Sequence, residues 1–264
     1  MNRILVGLIC MTLLAVNPMY KVHAGMDQPE SRATNKQIAI VIDDLGNDME
    51  GTEEILNMPI PLTVAVMPFL PTTKQDAERA HQVGHEVLVH LPMEPLKANN
   101  EALGPGVITT RLSEKEIRKR VLEAIDDVPY AVGINNHMGS KATADSRVMN
   151  IILQICKERG LFFLDSKTNY WSVVGDIGKQ LGVPVLENKL FLDDRSSKSH
   201  ISKQLKAIRD YLKHQDQCIA IGHVGRPGKN TASVLKASIP DMTKEAEFVP
   251  VSKLLKNLTP QIIQ

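Results

Sequence analysis

The sequence predicts an α/β fold, a single-domain (β/α) barrel of seven or eight strands, and three observations predict it. From residue 38 onward, short apolar runs alternate with amphipathic ones, which marks parallel strands buried on both faces and joined by crossover helices. Seven or eight such units fit into about 220 residues, which suits a barrel, complete or not, better than an open sheet. Charged and imidazole side chains also recur at the same end of successive strands, where a parallel barrel gathers them on one rim.

Residues 1–24 precede the barrel and read as a secretory signal peptide. They carry Arg3 near the start, an apolar run from Ile4 to Val16, no carboxylate, and Val22-His23-Ala24 as a cleavage signal before Gly25. The run falls short of the ~20 residues of a membrane span, so cleavage is the expectation and an uncleaved anchor the alternative. Cys10 lacks the small neighbour that precedes a lipidated cysteine. Residues 25–37 hold almost no large apolar side chain and read as a flexible linker, which leaves 38–264 as the barrel domain. The expected location is the periplasm or cell envelope.

Within the domain, 38–43 (Ile-Ala-Ile-Val-Ile-Asp) is the first strand, a β-branched run closed by a carboxylate. Strands follow at 62–67 and 86–90, with a helix over 73–83 between them. The clearest helix is 113–127, where Ser113 and Glu116 form a capping box ahead of Ile117, Val121, Leu122 and Ile125 at helical spacing. Next come a strand at 131–136, a helix at 145–159 closed by Gly160, a strand at 161–165 and a helix at 173–181 closed by Gly182. The chain ends with a strand in two pieces over 184–192, a helix at 200–213, and strands at 218–223 and 247–251. No internal repeat and no second linker interrupt this series.

Composition narrows the function. With 31 Lys+Arg against 30 Asp+Glu the chain has no electrostatic footprint for nucleic acid, and any membrane attachment would come through an uncleaved signal. After cleavage two cysteines remain, Cys156 and Cys218, both among apolar residues and without metal-site spacing; two isolated buried thiols are expected rather than a disulfide.

The strand ends supply the chemistry. Asp43-Asp44, His90, Asn136-His137, Asp165, Asp193-Asp194 and His223 close six strands at one end. Asp44, His90 and His137 offer one oxygen and two nitrogen ligands to a divalent metal such as zinc, with a position open for water. Asp43 could take a proton from that water, and His223, from the opposite side, could give one to a leaving group. Asp165 is a candidate for orienting the substrate. Asp193 either orients a catalytic group or starts a helix. Trp171, beside Tyr170 in the loop after Asp165, either stacks on a sugar face or anchors that loop. His81, His200 and His214 read as solvated, and His85 should lie at the far end of its strand. Ser140 and Ser166 sit in no Gly-x-Ser-x-Gly elbow, which removes a serine-hydrolase reading.

These residues carry a family resemblance. Ile40-Val41-Ile42-Asp43-Asp44-Leu45-Gly46, and Gly84-His85-Glu86 followed by His90, resemble motifs of NodB-homology polysaccharide deacetylases. Six ordered motifs make the chain more similar to one branch, the divergent polysaccharide deacetylase family. They are Asp-Asp-Leu-Gly at 43–46, His-Leu-Pro-Met-Glu-Pro at 90–95, Gly-Ile-Asn-Asn-His-Met-Gly-Ser at 133–140, Phe-Phe-Leu-Asp-Ser at 162–166, Phe-Leu-Asp at 191–193 and Ala-Ile-Gly-His at 220–223.

The resemblance implies a distorted barrel of the glycoside hydrolase/deacetylase type and metal-dependent removal of acetyl groups from an envelope glycan. It gives Asp43 the role of general base, Asp44 and His90 those of metal ligands, and His223 that of general acid. Four residues after His90, where the wider superfamily has a second metal histidine, stands Glu94. His137 is the expected replacement, with Glu94 a competing ligand or outer partner. Val224-Gly225-Arg226-Pro227 also departs from the Pro-aromatic-Pro run of the branch. Two classes of function remain: a deacetylase, or a weak or inactive relative that binds glycan or an envelope protein.

Overall fold

The computed structural model describes residues 36–97 and 103–257. Nine strands form one sheet: β1 (Gln37–Leu45), β2 (Thr63–Val66), β3 (Glu86–Met93), β4 (Ala131–Met138), β5 (Phe162–Asp165), β6 (Val185–Glu187), β7 (Leu190–Phe191), β8 (Gln217–His223) and β9 (Glu247–Phe248). The order is β6-β5-β4-β3-β2-β1-β8-β7, with β9 added to the start of β1, and every ladder is parallel. The two ends of that order are consecutive in the chain. Asn188 N–H donates to Asp165 O beside β6, and the next residue, Lys189, donates to Ile219 O beside β8. One segment thus leaves the β5 ladder and joins the β8 ladder, which curls the sheet into a distorted barrel.

Among the described residues, seven α-helices cross over between strands: α1 (Thr52–Leu56), α2 (Thr73–Gln82), α3 (Glu114–Asp127), α4 (Ser146–Arg159), α5 (Val174–Leu181), α6 (Lys198–Tyr211) and α7 (Gly228–Met242). The expected caps are present: the Ser113/Glu116 capping box opens α3, and Gly160 and Gly182, both left-handed, close α4 and α5. Two helices, α1 and α7, have no counterpart in the sequence pattern. The first is only five residues long, and the second begins Gly-Lys-Asn-Thr and contains Pro240, so neither declares itself by propensity.

Side-chain parity divides the core in two. Ala39, Val41, Ala65, Leu88, Phe162, Leu164, Leu186, Ile219 and Ile221 pack with one another and with no α-helix, which places them inside the barrel. Alternate residues such as Ile40, Val64, Val89 and Phe163 pack outward with the helices. A Cβ on Gly133 would stand 2.9 Å from the Phe162 ring, so glycine is what lets that ring fill the interior. The floor is closed by Val249, Val251 and Leu254. They follow β9 into a 3-10 helix, Val251–Asn257, fixed by bonds from Val251 N–H to Thr63 and from Ser252 N–H to Glu86.

The segments expected to be a signal peptide (1–24) and most of the linker (25–37) lie outside the described residues. Gln37, read as linker from its polarity, instead opens β1 beside Gln217 and Glu247. No described helix is long and apolar enough to cross a membrane. Cys156 and Cys218 are buried free thiols, as expected, and burial pushes both up to about 12, which keeps them unreactive.

Candidate functional site

The site occupies the C-terminal mouth of the barrel, one pleat above the apolar interior. Strict alternation would turn Asp43 inward and Asp44 outward, but β1 carries a bulge. Its register to β2 slips between Ile42 and Leu45, and Asp44 takes a left-handed conformation with φ 72°. A second slip, between Val87 and Leu88 opposite β4, leaves Val132 unpaired and sets Gly133, Asn135 and His137 to the interior parity. His90 and Asn135 are register partners. β2 ends at Val66, opposite Val89, one residue short of that level, so His90 reaches toward β1 above the end of the strand between them.

Three ligand atoms converge there. His90 Nε2 lies 3.2 Å from Asp44 Oδ1 and 3.1 Å from His137 Nδ1, and His137 Nδ1 lies 3.1 Å from Asp44 Oδ1. Asp44 Oδ1 is buried and no donor reaches it in hydrogen-bonding geometry. A near-equilateral triangle of one carboxylate oxygen and two imidazole nitrogens fits a cation: ligands bonded at about 2.0–2.1 Å in a tetrahedron stand about 3.3 Å apart. Asp44, His90 and His137 are the one such group among the described residues. Burial pushes the Asp44 carboxyl up, but the His137 and His90 imidazoles outweigh it and hold it well below the usual carboxylate range.

Asp43 stands beside the triangle. Its Oδ2 is 3.7 Å from His90 Nε2, and its Oδ1 accepts a 2.9 Å bond from Asn135 Nδ2. Burial raises this carboxyl, only partly offset by His90, His223 and Asn135. On the other flank of β1, His223 is the register partner of Asp43 on the neighbouring strand. It therefore sits beside Asp43, on the side of β1 away from His90 and His137. Asp193 holds it through two bonds, accepting from the His223 ring at Nδ1 (2.7 Å) and from His223 N–H (2.8 Å), and is itself fixed by a third from Thr231 Oγ1 (2.6 Å). Burial opposes the imidazolium, but the Asp193 hydrogen bond and the charges of Asp43, Asp193 and Asp44 raise it to about 9. Asp193 thus pairs with His223 and does not open a helix, since α6 begins at Lys198.

The remaining candidates lie apart. Glu94 is outside the triangle: its carboxylate accepts from Lys141 Nζ (2.7 Å) and from Thr110 N–H and Oγ1. Burial is outweighed there by Lys141 and Thr110, which hold the carboxyl low. Asp165 shares the outward parity of Phe163 and fastens the next loop, accepting from Lys167 N–H and Ser172 Oγ. That loop is pinned to the segment after His137 by Thr168 to Met138 O and by Asn169 to Ser140 O and Thr143. Even so, Tyr170 is 97% and Trp171 69% exposed, so the tryptophan does not anchor the loop onto the core. His85 lies at the floor, near Leu56 O and Leu62 N, and His200, read as solvated, pairs instead with Asp194. Sequence reasoning passed over Asn135. Its signal is a polar residue two before His137, hence on the same interior face.

Fold and site together define a class: parallel (β/α) barrels that gather carboxylates and imidazoles, in an arrangement that fits a cation, at the C-terminal ends of their strands. The chain belongs to one family within it, the divergent polysaccharide deacetylases, whose family model matches residues 40–255. An uncharacterized Escherichia coli protein, YibQ, is 37% identical over 226 residues, 86% of this chain and 69% of the relative. An uncharacterized Haemophilus influenzae protein is 36% identical over 221 residues, 84% of this chain and 77% of the relative. Among solved structures, an uncharacterized Agrobacterium tumefaciens protein superposes with TM-score 0.78 at 21% identity, covering 86% and 92% of the two chains. At TM-score 0.51 the fold is shared with the Bc1960 peptidoglycan N-acetylglucosamine deacetylase (15% identity, 84% and 90% covered). A CE4 family pseudoenzyme from Bacillus anthracis matches equally well (14% identity, 84% and 66% covered).

Proposed function

We propose that the protein is an exported, zinc-dependent hydrolase that removes acetyl groups from a glycan of the cell envelope. The observation that carries this reading is the Asp44, His90 and His137 triangle with a separate buried carboxylate, Asp43, beside it. Zinc held there would supply Lewis-acid polarisation of an acetyl carbonyl and of an attacking water. Asp43 accepts the proton of that water at Oδ2, the oxygen not bonded to Asn135. His223, protonated at neutral pH and bonded to Asp193 through Nδ1, presents Nε2 to the mouth and returns a proton to the leaving amine. Trp171 and Tyr170 offer an aromatic face to the sugar.

The test is acetate release by metal-loaded protein from peptidoglycan, chitin oligomers and acetylated polysaccharide, with metal analysis of the same sample. Asp43→Asn should keep the fold and the metal and lose turnover by about 10²–10⁴-fold. A second reading, an inactive relative that binds glycan or an envelope protein, is favoured by one observation. At the position where the wider superfamily has a metal histidine, Glu94 is neutralised by Lys141. Binding without acetate above the Asp43→Asn background would select it. Export predicts a mature envelope form that begins near Gly25.

A further inference from the structure

We infer that Asn135 is a positioning residue that selects which nitrogen of His90 and which oxygen of Asp43 face the site. The inference rests on the metal-site reading above. Asn135 is fully buried on β4, level with His90. Its carboxamide has a polar neighbour at each end: Oδ1 is 2.8 Å from His90 Nδ1, and Nδ2 is 2.9 Å from Asp43 Oδ1.

A carboxamide is not symmetric, because its oxygen only accepts and its nitrogen only donates. Reversing it would set a carbonyl oxygen against the Asp43 carboxylate, so Nδ2 faces Asp43 and Oδ1 faces the imidazole. Oδ1 then requires a proton on His90 Nδ1. A neutral ring with its proton on Nδ1 keeps its lone pair on Nε2, and Nε2 is the atom in the triangle. At the other end, the Asn135 bond engages Oδ1 of Asp43. That leaves Oδ2, on the side of His90 Nε2, to accept a proton. One uncharged side chain therefore orders both a ligand and its neighbouring base, the role outer partners of metal-bound histidines commonly fill.

The full chain carries three measurements. In metal-free wild-type protein at alkaline pH, nitrogen-15 NMR of labelled histidine should find the His90 proton on Nδ1; in Asn135→Leu it should move to Nε2. Competition against a chelator should show zinc bound about 10–100-fold more weakly by Asn135→Leu. Asn135→Asp keeps an acceptor for His90 but loses the donor to Asp43, so its zinc affinity should not fall while turnover drops about tenfold or more at unchanged KM. A proton on Nε2 in wild type overturns the inference. So does an Asn135→Leu protein that keeps both the tautomer and, within twofold, the zinc affinity. If Asn135→Leu does not fold, the wild-type spectrum and Asn135→Asp decide. If wild type binds no zinc yet the tautomer depends on Asn135, the positioning role stands and the zinc reading falls.

Discussion

The strands that place Val41, Leu88 and Ile221 inside the barrel place Asp43, His90 and His223 inside it two residues later, so the lower and upper layers are built by the same backbone one pleat apart. The lower layer is apolar, and its three residues are fully buried. The upper layer holds a bulge, a left-handed Asp44, an Asp44 oxygen without a hydrogen-bond donor, and a buried Asp43 whose carboxyl is raised. Burying such groups costs stability, and the apolar layer beneath offsets that cost while holding the strand ends rigid. Substitutions in the two layers should therefore fail in different ways.

The largest effect expected is on metal. His137→Ala should weaken zinc binding by at least ~100-fold, beyond what loss of an outer partner does, while metal-free stability changes by less than about 1 kcal/mol. Glu94→Gln, measured alongside by chelator competition, should leave the affinity within twofold; loss of metal in that variant would return Glu94 to the ligand set. The mirror image is Leu88→Ala in the lower layer. It should cost ~2–5 kcal/mol in urea unfolding yet still bind one metal per chain. A stable Leu88→Ala protein that lost its metal would erase the distinction between layers.

A smaller effect is set by pH. The folded His223 imidazole, at about 9, lies above the ordinary value near 6.5, so its pairing with Asp193 stabilises fully below pH ~6.5 and is lost as pH rises through about 9. Metal-free wild type should lose stability across that window relative to His223→Gln, and parallel curves would remove the ion pair from the upper layer. The smallest effect belongs to the rim. Trp171→Ala should raise KM for a polymeric glycan two- to tenfold, matching about 0.5–1.5 kcal/mol of stacking, and leave a small acetyl ester unaffected.

Much of this was legible in the sequence, for identifiable reasons. Parallel strands read as continuous apolar runs, so their ends, and the polar residues at those ends, stand out. His137 could be preferred to Glu94 as a ligand from residue type alone, because two imidazoles and a carboxylate suit zinc. The bulges could not be read. An extra residue in a ladder leaves no mark in composition, and without it period-two alternation separates Asp43 from Asp44. Asp165 stands out as the last residue of its strand, but its partners Lys167 and Ser172, in the loop that carries Trp171, could not be read from that position. Asn135 was hidden because its worth lies in two partners 45 and 92 positions away in sequence.

The switch between Asn188 and Lys189 also bears on the edges of the sheet. A long, exposed sheet edge is a template for another strand. Among the described residues, the strands paired on one side only are Val185–Glu187, Leu190–Phe191 and Glu247–Phe248, each at most three residues long. Lys189→Pro would delete the N–H that bonds Ile219 O and loosen the start of β7 on β8. The two residues that turn the sheet on itself thus sit between two of the short edges that it offers to another strand.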